Sequence, residues 1–190
     1  MTARTSTTDP LRIVEIACEP WASGIVGITF CPGKRGDSVF GSPWQRDLDI
    51  DLDAVTAWGA DVALTLVEQH ELRLLQVPTL GEGFRKRGID WYHLPIVDLS
   101  TPDQAFHRLW LSAGAVAVRS LRKGKKVLVH CRGGRGRAGT VAVALLIELG
   151  ENPQRALQKV RAARPGAVET EGQERYLATY TRLLEPKEGG

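Results

Sequence analysis

Cysteine is scarce in this chain: Cys18, Cys31 and Cys131 are the only three in 190 residues. An odd number so widely scattered excludes a disulfide scaffold, and none of the spacings matches a zinc site. The four histidines, His70, His93, His107 and His130, are equally far apart, so no metal centre is expected. Long apolar runs are missing as well. No stretch approaches the ~18 residues of a membrane-spanning helix, and no apolar secretory segment follows Met1. Nor is there an excess of one charge: 25 Lys and Arg against 22 Asp and Glu leave a formal net charge of +3. That balance is too mild for a dedicated nucleic-acid binder but suits an anionic substrate. No internal repeat and no Pro/Gly/Ser-rich linker divides the chain. What remains is a globular sequence with free thiols, fitting a reducing cytoplasm, and its length suits one domain with a sizeable core.

What is present is concentrated in His130-Cys131-Arg132-Gly133-Gly134-Arg135-Gly136-Arg137. The strand-like run Lys126-Val127-Leu128-Val129 precedes it, and the alanine-rich apolar run from Ala138 to Leu149 follows as a helix. Backbone N–H groups can curl around one phosphoryl group only where side chains do not block the approach, hence the glycines. The following helix adds its unpaired N–H groups and the positive end of its dipole, which also favours thiolate over thiol at Cys131. Arg137 carries a planar fork able to hold two phosphate oxygens, which a lysine lacks. The simpler alternatives, a buried cysteine beside a flexible basic loop or a turn, leave the ordered series of strand, His-Cys, glycine turn, Arg and helix unexplained. A nucleotide-binding loop requires Gly-Lys-Ser or Gly-Lys-Thr, and the turn holds no lysine. A sulfurtransferase loop remains open, although its Cys-to-Arg spacing is usually shorter.

The loop resembles the Cys-x5-Arg element of protein tyrosine and dual-specificity phosphatases. Flanking words agree in order: Phe30-Cys31-Pro32-Gly33, Trp58-Gly59-Ala60, Thr65-Leu66-Val67-Glu68, His93-Leu94-Pro95-Ile96-Val97-Asp98 and Gly166-Ala167-Val168-Glu169-Thr170. Together they resemble the branch that includes the kinase-associated phosphatase, of the cyclin-dependent kinase inhibitor family, over about residues 24 to 185. The resemblance implies a cysteine-dependent phosphomonoesterase needing no metal or organic cofactor. Cys131 is then the nucleophile, and Arg132, Gly133, Gly134, Arg135, Gly136 and Arg137 form the phosphate cradle. Asp98 follows an apolar run at the start of a polar stretch, where a mobile general acid belongs, and the resemblance places the family's acid there. Asp103 is the runner-up, but its place after Pro102 suits the first turn of a helix better. By the same resemblance His130 organises the loop through hydrogen bonds, and Gln173 either orients the hydrolytic water or lies on a solvated helix face.

One position departs from the pattern. Many relatives carry Ser or Thr directly after the loop arginine; here the residue is Ala138, and Thr140 lies two residues on, on a different helix face. Arg132 and Arg135 either greet a multiply phosphorylated headgroup or simply raise the local field. The implied partner is a phosphorylated protein or peptide, with a phosphoinositide, a small phosphorylated metabolite, or a phosphate-binding module of low turnover as alternatives. Lys34 and Arg35 read as a basic rim near the site or as a charged turn. A reversible disulfide between Cys31 and oxidised Cys131 is a further reading of the free thiols.

Periodicity gives strands at Arg12–Ile16, Ile25–Phe30, Val62–Val67, Ile89–Leu94 and Lys126–Val129. Helices are expected at Gln45–Trp58, Glu68–Val77, Pro102–Arg122, Ala138–Leu149, Pro153–Arg164 and Glu169–Leu184. The aspartates of Asp47-Leu48-Asp49-Ile50-Asp51-Leu52-Asp53 read as a solvated helix face rather than a metal site. The alternation predicts an α/β fold, a central and mainly parallel sheet flanked by helices, with the loop at its C-terminal edge. One domain over 11–185 is expected, with flexible tails at 1–10 and 186–190.

Overall fold

The computed structural model describes residues 2–38 and 41–184. Five strands form the main sheet: β1 (Val14–Ala17), β2 (Ile25–Phe30), β5 (Ala60–Thr65), β6 (Asp90–His93) and β7 (Lys126–Cys131). Their spatial order is β1-β2-β7-β5-β6; only β1 runs antiparallel. β7 lies in the middle, with Val127, Leu128 and Val129 wholly buried, because helices cover both faces and leave no side of the strand for polar residues. The parallel strands β2, β5, β6 and β7 all end at one edge. That edge therefore collects the segments beginning at Cys31, Leu66, Leu94 and Arg132.

Helix α5 (Gly136–Leu149) leaves that edge and is buried along its whole length, which accounts for its run of Ala, Val and Leu. Around it lie α4 (Gln104–Arg122), α6 (Pro153–Ala163) and α7 (Glu171–Ala178). Asp103 caps α4 by accepting from the Phe106 amide (2.8 Å), so the runner-up acid is a helix cap. α4 presents Phe106, Trp110, Ala113, Ala117 and Leu121 to the core at helical spacing.

Several boundaries differ from the sequence expectation. The helix expected over Glu68–Val77 is shorter, α2 (Gln69–Leu74), and a second, unexpected helix follows, α3 (Leu80–Lys86). Pro78 separates them, and Gly81 and Gly83 weaken the helical signal of α3. Gln45 belongs to a two-residue strand, β4 (Trp44–Gln45), paired with β3 (Arg35–Gly36), so α1 begins later, at Leu48, and ends at Trp58. The expected helix to Leu184 stops at Ala178. Beyond it the amides of Leu183 and Leu184 donate to the buried carboxylate of Glu148 (2.9 and 3.0 Å) instead of to helical carbonyls. Tyr180 donates to the same carboxylate at 2.6 Å.

The aspartates of α1 are not all solvated. Asp49 and Asp53 face Arg87 at the surface, but Asp51 is buried and grips Arg46, also buried, through two hydrogen bonds of 2.7 and 2.8 Å. Arg46 also reaches back to the N-terminal segment, donating to the Asp9 carbonyl at 2.6 Å. Ser6 exchanges hydrogen bonds with the backbone of Asp47, and Arg4 stacks over Trp44 at 3.5 Å. The segment expected as a free tail over 1–10 is thus docked from Arg4 to Asp9, because a buried guanidinium must find acceptors for its remaining N–H groups. The tail expected at 186–190 lies outside the described residues.

Breaking the Arg46–Asp51 pair from one side strands a buried charge. Arg46→Ala should lower the unfolding free energy in urea by about 3–5 kcal/mol. Adding Asp51→Ala should cost much less than its single-variant effect, and strict additivity would show that the pair is not coupled.

Candidate active site

Cys131 is the last residue of β7 and stands opposite Phe30 of β2, while His130 stands opposite both Thr29 and Thr65. The turn that follows is held from outside by its carbonyls. Lys34 Nζ donates to the Arg132 carbonyl at 3.2 Å. Arg164 donates through Nε to the Gly134 carbonyl at 3.0 Å and through Nη2 to that of Gly133 at 3.4 Å. Because a trans peptide sets its N–H opposite its C=O, three carbonyls turned outward turn the amides of Gly133, Gly134 and Arg135 the other way. One of them reaches the sulfur: the Gly134 N–H donates to Cys131 Sγ at 3.2 Å. Gly134 has φ of 67°, and a Cβ there would lie 2.6 Å from the Thr29 carbonyl, so only glycine passes this close to β2.

Arg137 sits in the first turn of α5 and is 2% exposed. Its Nη1 and Nη2 pair with both oxygens of Glu71 at 2.5 and 2.9 Å, and Nη1 also donates to the Ile96 carbonyl at 3.0 Å. Nη2 lies 3.0 Å from Asp98 Oδ1. Among the described residues its Nε–H has no acceptor. Burial opposes charge on both Arg137 and Glu71, yet their mutual hydrogen bonds prevail, raising the arginine and lowering the glutamate so that both stay ionised. Sequence reasoning missed Glu71. Its one sequence signal is the spacing Glu68-x-x-Glu71, a capping box in which the Glu71 carboxylate accepts from the Glu68 amide at 2.8 Å.

Cys131, Arg137 and Asp98 are therefore brought together. Asp98 is half-exposed between the exposed side chains of Val97 and Leu99. Leu99 adopts φ of 58°, and its carbonyl and that of Ser100 accept from Thr170 Oγ1 (3.4 Å) and Gln173 Nε2 (3.1 Å). Gln173 is fully buried, not on a solvated face, and its Oε1 accepts from the Glu169 and Thr170 amides. Arg132 and Arg135 project as exposed side chains. Lys34 does not form a rim. It is buried with its ammonium over the rings of Trp44 and Phe30 (3.9 and 4.4 Å), and burial pushes it down to about 8. Cys31 lies at the end of the adjoining strand, its thiol pushed up to about 12 by burial, which makes it a poor thiolate. Thr140 donates to the Gly136 carbonyl at 2.9 Å, so its hydroxyl is committed within the helix.

Residues 47–177 match the family described as Swiss Army Knife protein, DSP-PTPase phosphatase domain. Cyclin-dependent kinase inhibitor 3 of Rattus norvegicus is 31% identical over 165 residues, 85% of this chain and 74% of that protein. Among solved structures, kinase associated phosphatase with serine replacing its catalytic-site cysteine superposes with a TM-score of 0.76. It is 27% identical and covers 88% of this chain and 92% of its own. Tk-PTP in its active form gives a TM-score of 0.61 at 35% identity, covering 84% and 95%.

His130 is fully buried, its Nε2 2.7 Å from Thr65 Oγ1, which in turn accepts from Trp91 Nε1 at 2.7 Å. Burial, reinforced by the neighbouring charges of His93 and Arg137, pushes it from 6.5 down to about 3. Between those values the unfolded chain binds a proton that the folded chain does not, so stability falls as pH drops through this window. The slope contributed is about 1.4 kcal/mol per pH unit. Urea unfolding of His130→Asn below pH 6.5 should show a dependence on pH shallower by that amount, and an unchanged slope would exonerate His130.

Proposed function

The chain belongs to the dual-specificity and protein tyrosine phosphatase family, cysteine-dependent phosphomonoester hydrolases, and we propose that Cys131, Arg137 and Asp98 carry out its reaction. The observation that bears most of this reading is the set of loop carbonyls fastened outward by Lys34 and Arg164, which aims consecutive amides at the side where Cys131 Sγ lies. Such preorganised donors need no rearrangement as charge moves onto the phosphoryl oxygens.

In the first half-reaction the Cys131 thiolate attacks phosphorus and forms an S–P bond as the P–O bond to the leaving group breaks. Asp98, as the carboxylic acid, gives its proton to the departing oxygen. Arg137 and the amides of the loop, including Gly133, Gly134 and Gly136, hold the three remaining oxygens. In the second, water attacks the phosphocysteine and passes a proton to the Asp98 carboxylate, and the S–P bond breaks to release phosphate and the thiolate. His130 acts as a neutral organiser through Thr65. Gln173 acts through the loop carrying Asp98, since its amide is occupied by Ser100, Glu169 and Thr170. No step requires a metal or organic cofactor.

The substrate we favour is a phosphorylated protein or peptide, in keeping with a relative named as kinase associated phosphatase. The exposed Arg132 and Arg135 favour the second reading, a phosphoinositide or another multiply phosphorylated ester. Higher activity on a phosphoinositide panel than on phosphopeptides would decide for it. Three free, buried cysteines suit a reducing compartment such as the cytoplasm.

Cys131→Ser should abolish hydrolysis of p-nitrophenyl phosphate while the protein still binds tungstate; comparable turnover by the serine variant would sink the mechanism. Asp98→Asn should lower kcat by about 10²-fold or more while changing substrate affinity little, most visibly with poor leaving groups. Ala138 offers no hydroxyl beside the sulfur and that of Thr140 is committed, so phosphoenzyme should break down more slowly than it forms. Rapid quench should then reveal a burst of leaving group, whereas a linear time course from the first turnover would contradict it.

A further inference from the structure

The N–H groups of the loop are not all waiting for a phosphoryl oxygen. Gly136 opens α5, and its N–H donates to Glu169 Oε2 at 2.8 Å. The Arg135 carbonyl of the same peptide points along the helix, accepting from the Gly139 amide at 2.7 Å. The Gly136 N–H therefore points out of the N-terminal end of α5. Glu169 closes tightly on this spot: a Cβ at Gly136 would stand 2.5 Å from its carboxylate oxygen. The carboxylate is carried by a segment that is itself fixed. The Val168 amide meets the Arg135 carbonyl, the Val168 carbonyl accepts from Arg161 Nη2 at 3.1 Å, and the Glu169 amide donates to the buried Gln173 at 2.9 Å. Glu169 nevertheless remains exposed to solvent, so its side chain can swing away while its backbone stays in place.

Arg135, the residue before the helix, makes no side-chain cap, and Arg164, beside the loop, is held to the Gly133 and Gly134 carbonyls and makes no ion pair with Glu169 within 4.0 Å. On the other side of the site the Asp98 carboxylate stands as an ion-pair partner of Arg137, 3.0 Å from its Nη2. Two internal carboxylates thus stand against two groups that a phosphoryl group needs. Asp98 has a further task once displaced, protonating the leaving group. Glu169 stands at the helix end, on the amide.

We propose that Glu169 is an internal competitor for the phosphoryl group, its carboxylate holding the Gly136 N–H until phosphate displaces it and returning to that N–H as product departs. The inference rests on the phosphatase reading above. Substrate and product share the phosphoryl oxygens, but product lacks the contacts of the leaving group. A displaceable carboxylate raises both dissociation constants by the same factor, which speeds release of free phosphate, while a substrate anchored elsewhere keeps contacts enough to bind. Glu169 is a tuning residue, not a catalytic one.

Calorimetric binding of tungstate, measured beside p-nitrophenyl phosphate turnover and inhibition by inorganic phosphate, tests this in wild type, Glu169→Gln and Glu169→Ala. The glutamine keeps a hydrogen-bond acceptor for the Gly136 amide and removes only the charge. Both variants should bind tungstate and phosphate about five- to tenfold more tightly, the scale of one relieved like-charge contact. Unchanged binding by the glutamine variant, with weaker binding by the alanine variant, would make Glu169 a strut for the loop and overturn the proposal alone. Wild-type protein that neither binds tungstate nor shows turnover dependent on Cys131 would overturn the phosphatase reading, and this inference with it.

Discussion

A guanidinium almost wholly withdrawn from water must be neutralised within reach, and the way Arg137 meets that demand organises the active edge of the sheet. Its partners come from two separate stretches of chain: Glu71 from α2, and from the segment after β6 both the Ile96 carbonyl and, two residues further on, Asp98. Each of these stretches leaves the C-terminal end of a parallel strand or the helix just beyond it. The charge on Arg137 therefore does more than face a substrate. It draws the segment bearing Asp98 to the segment bearing Cys131, and the bidentate grip of Glu71 fixes the plane of the fork, so that its Nε edge and one Nη2 hydrogen face away from Glu71.

A second constraint complements the first. A loop of glycines has no preferred shape of its own, so its conformation has to be imposed from outside. Two cations do this by holding carbonyls rather than by pointing at the substrate: Lys34 on Arg132, and Arg164 on Gly133 and Gly134. Planarity of the peptide converts those outward carbonyls into inward amides. Both residues pay a desolvation cost, which is why burial lowers Lys34 to about 8 and also pulls Arg164 downward. Their charge still adds to the positive field around Cys131, so one pair of side chains both shapes the loop and favours an anion within it.

The parts of this arrangement that were legible in the sequence are those encoded over short distances. β2 and the central run of β7 follow directly from continuous apolar runs, α5 from its alanine-rich stretch, and the loop from its own spacing of Cys, Gly and Arg. Asp98 stands out because an apolar run gives way there to polar residues and because the resemblance places the family's acid at that position. Glu71, Arg164 and Glu169 were not found, because each acts across 30 residues or more of chain on a partner that only the sheet topology brings near. Lys34 was seen but misplaced. The sequence carries no sign that Trp44 and Phe30 roof it over. The same limit explains Asp51, whose alternating pattern reads as surface, although a single buried arginine five residues earlier draws it inside.

The segment from Val168 to Gln173 joins the two constraints. It meets the loop after β7 through Val168 and Glu169, and it meets the loop carrying Asp98 through Thr170 and Gln173, which bond to the carbonyls of Leu99 and Ser100. Leu99 and Val168 both hold positive φ, a conformation costing a branched or bulky residue on the order of 1 kcal/mol or more unless its surroundings impose it. They are the two points at which these loops are clasped. A shift of the loop carrying Asp98 would therefore be felt at Gln173, and through its bond to the Glu169 amide at the carboxylate on Gly136. Hydrogen bonds and the covalent chain between them thus link Asp98 to Gly136 by way of Ser100, Gln173 and Glu169.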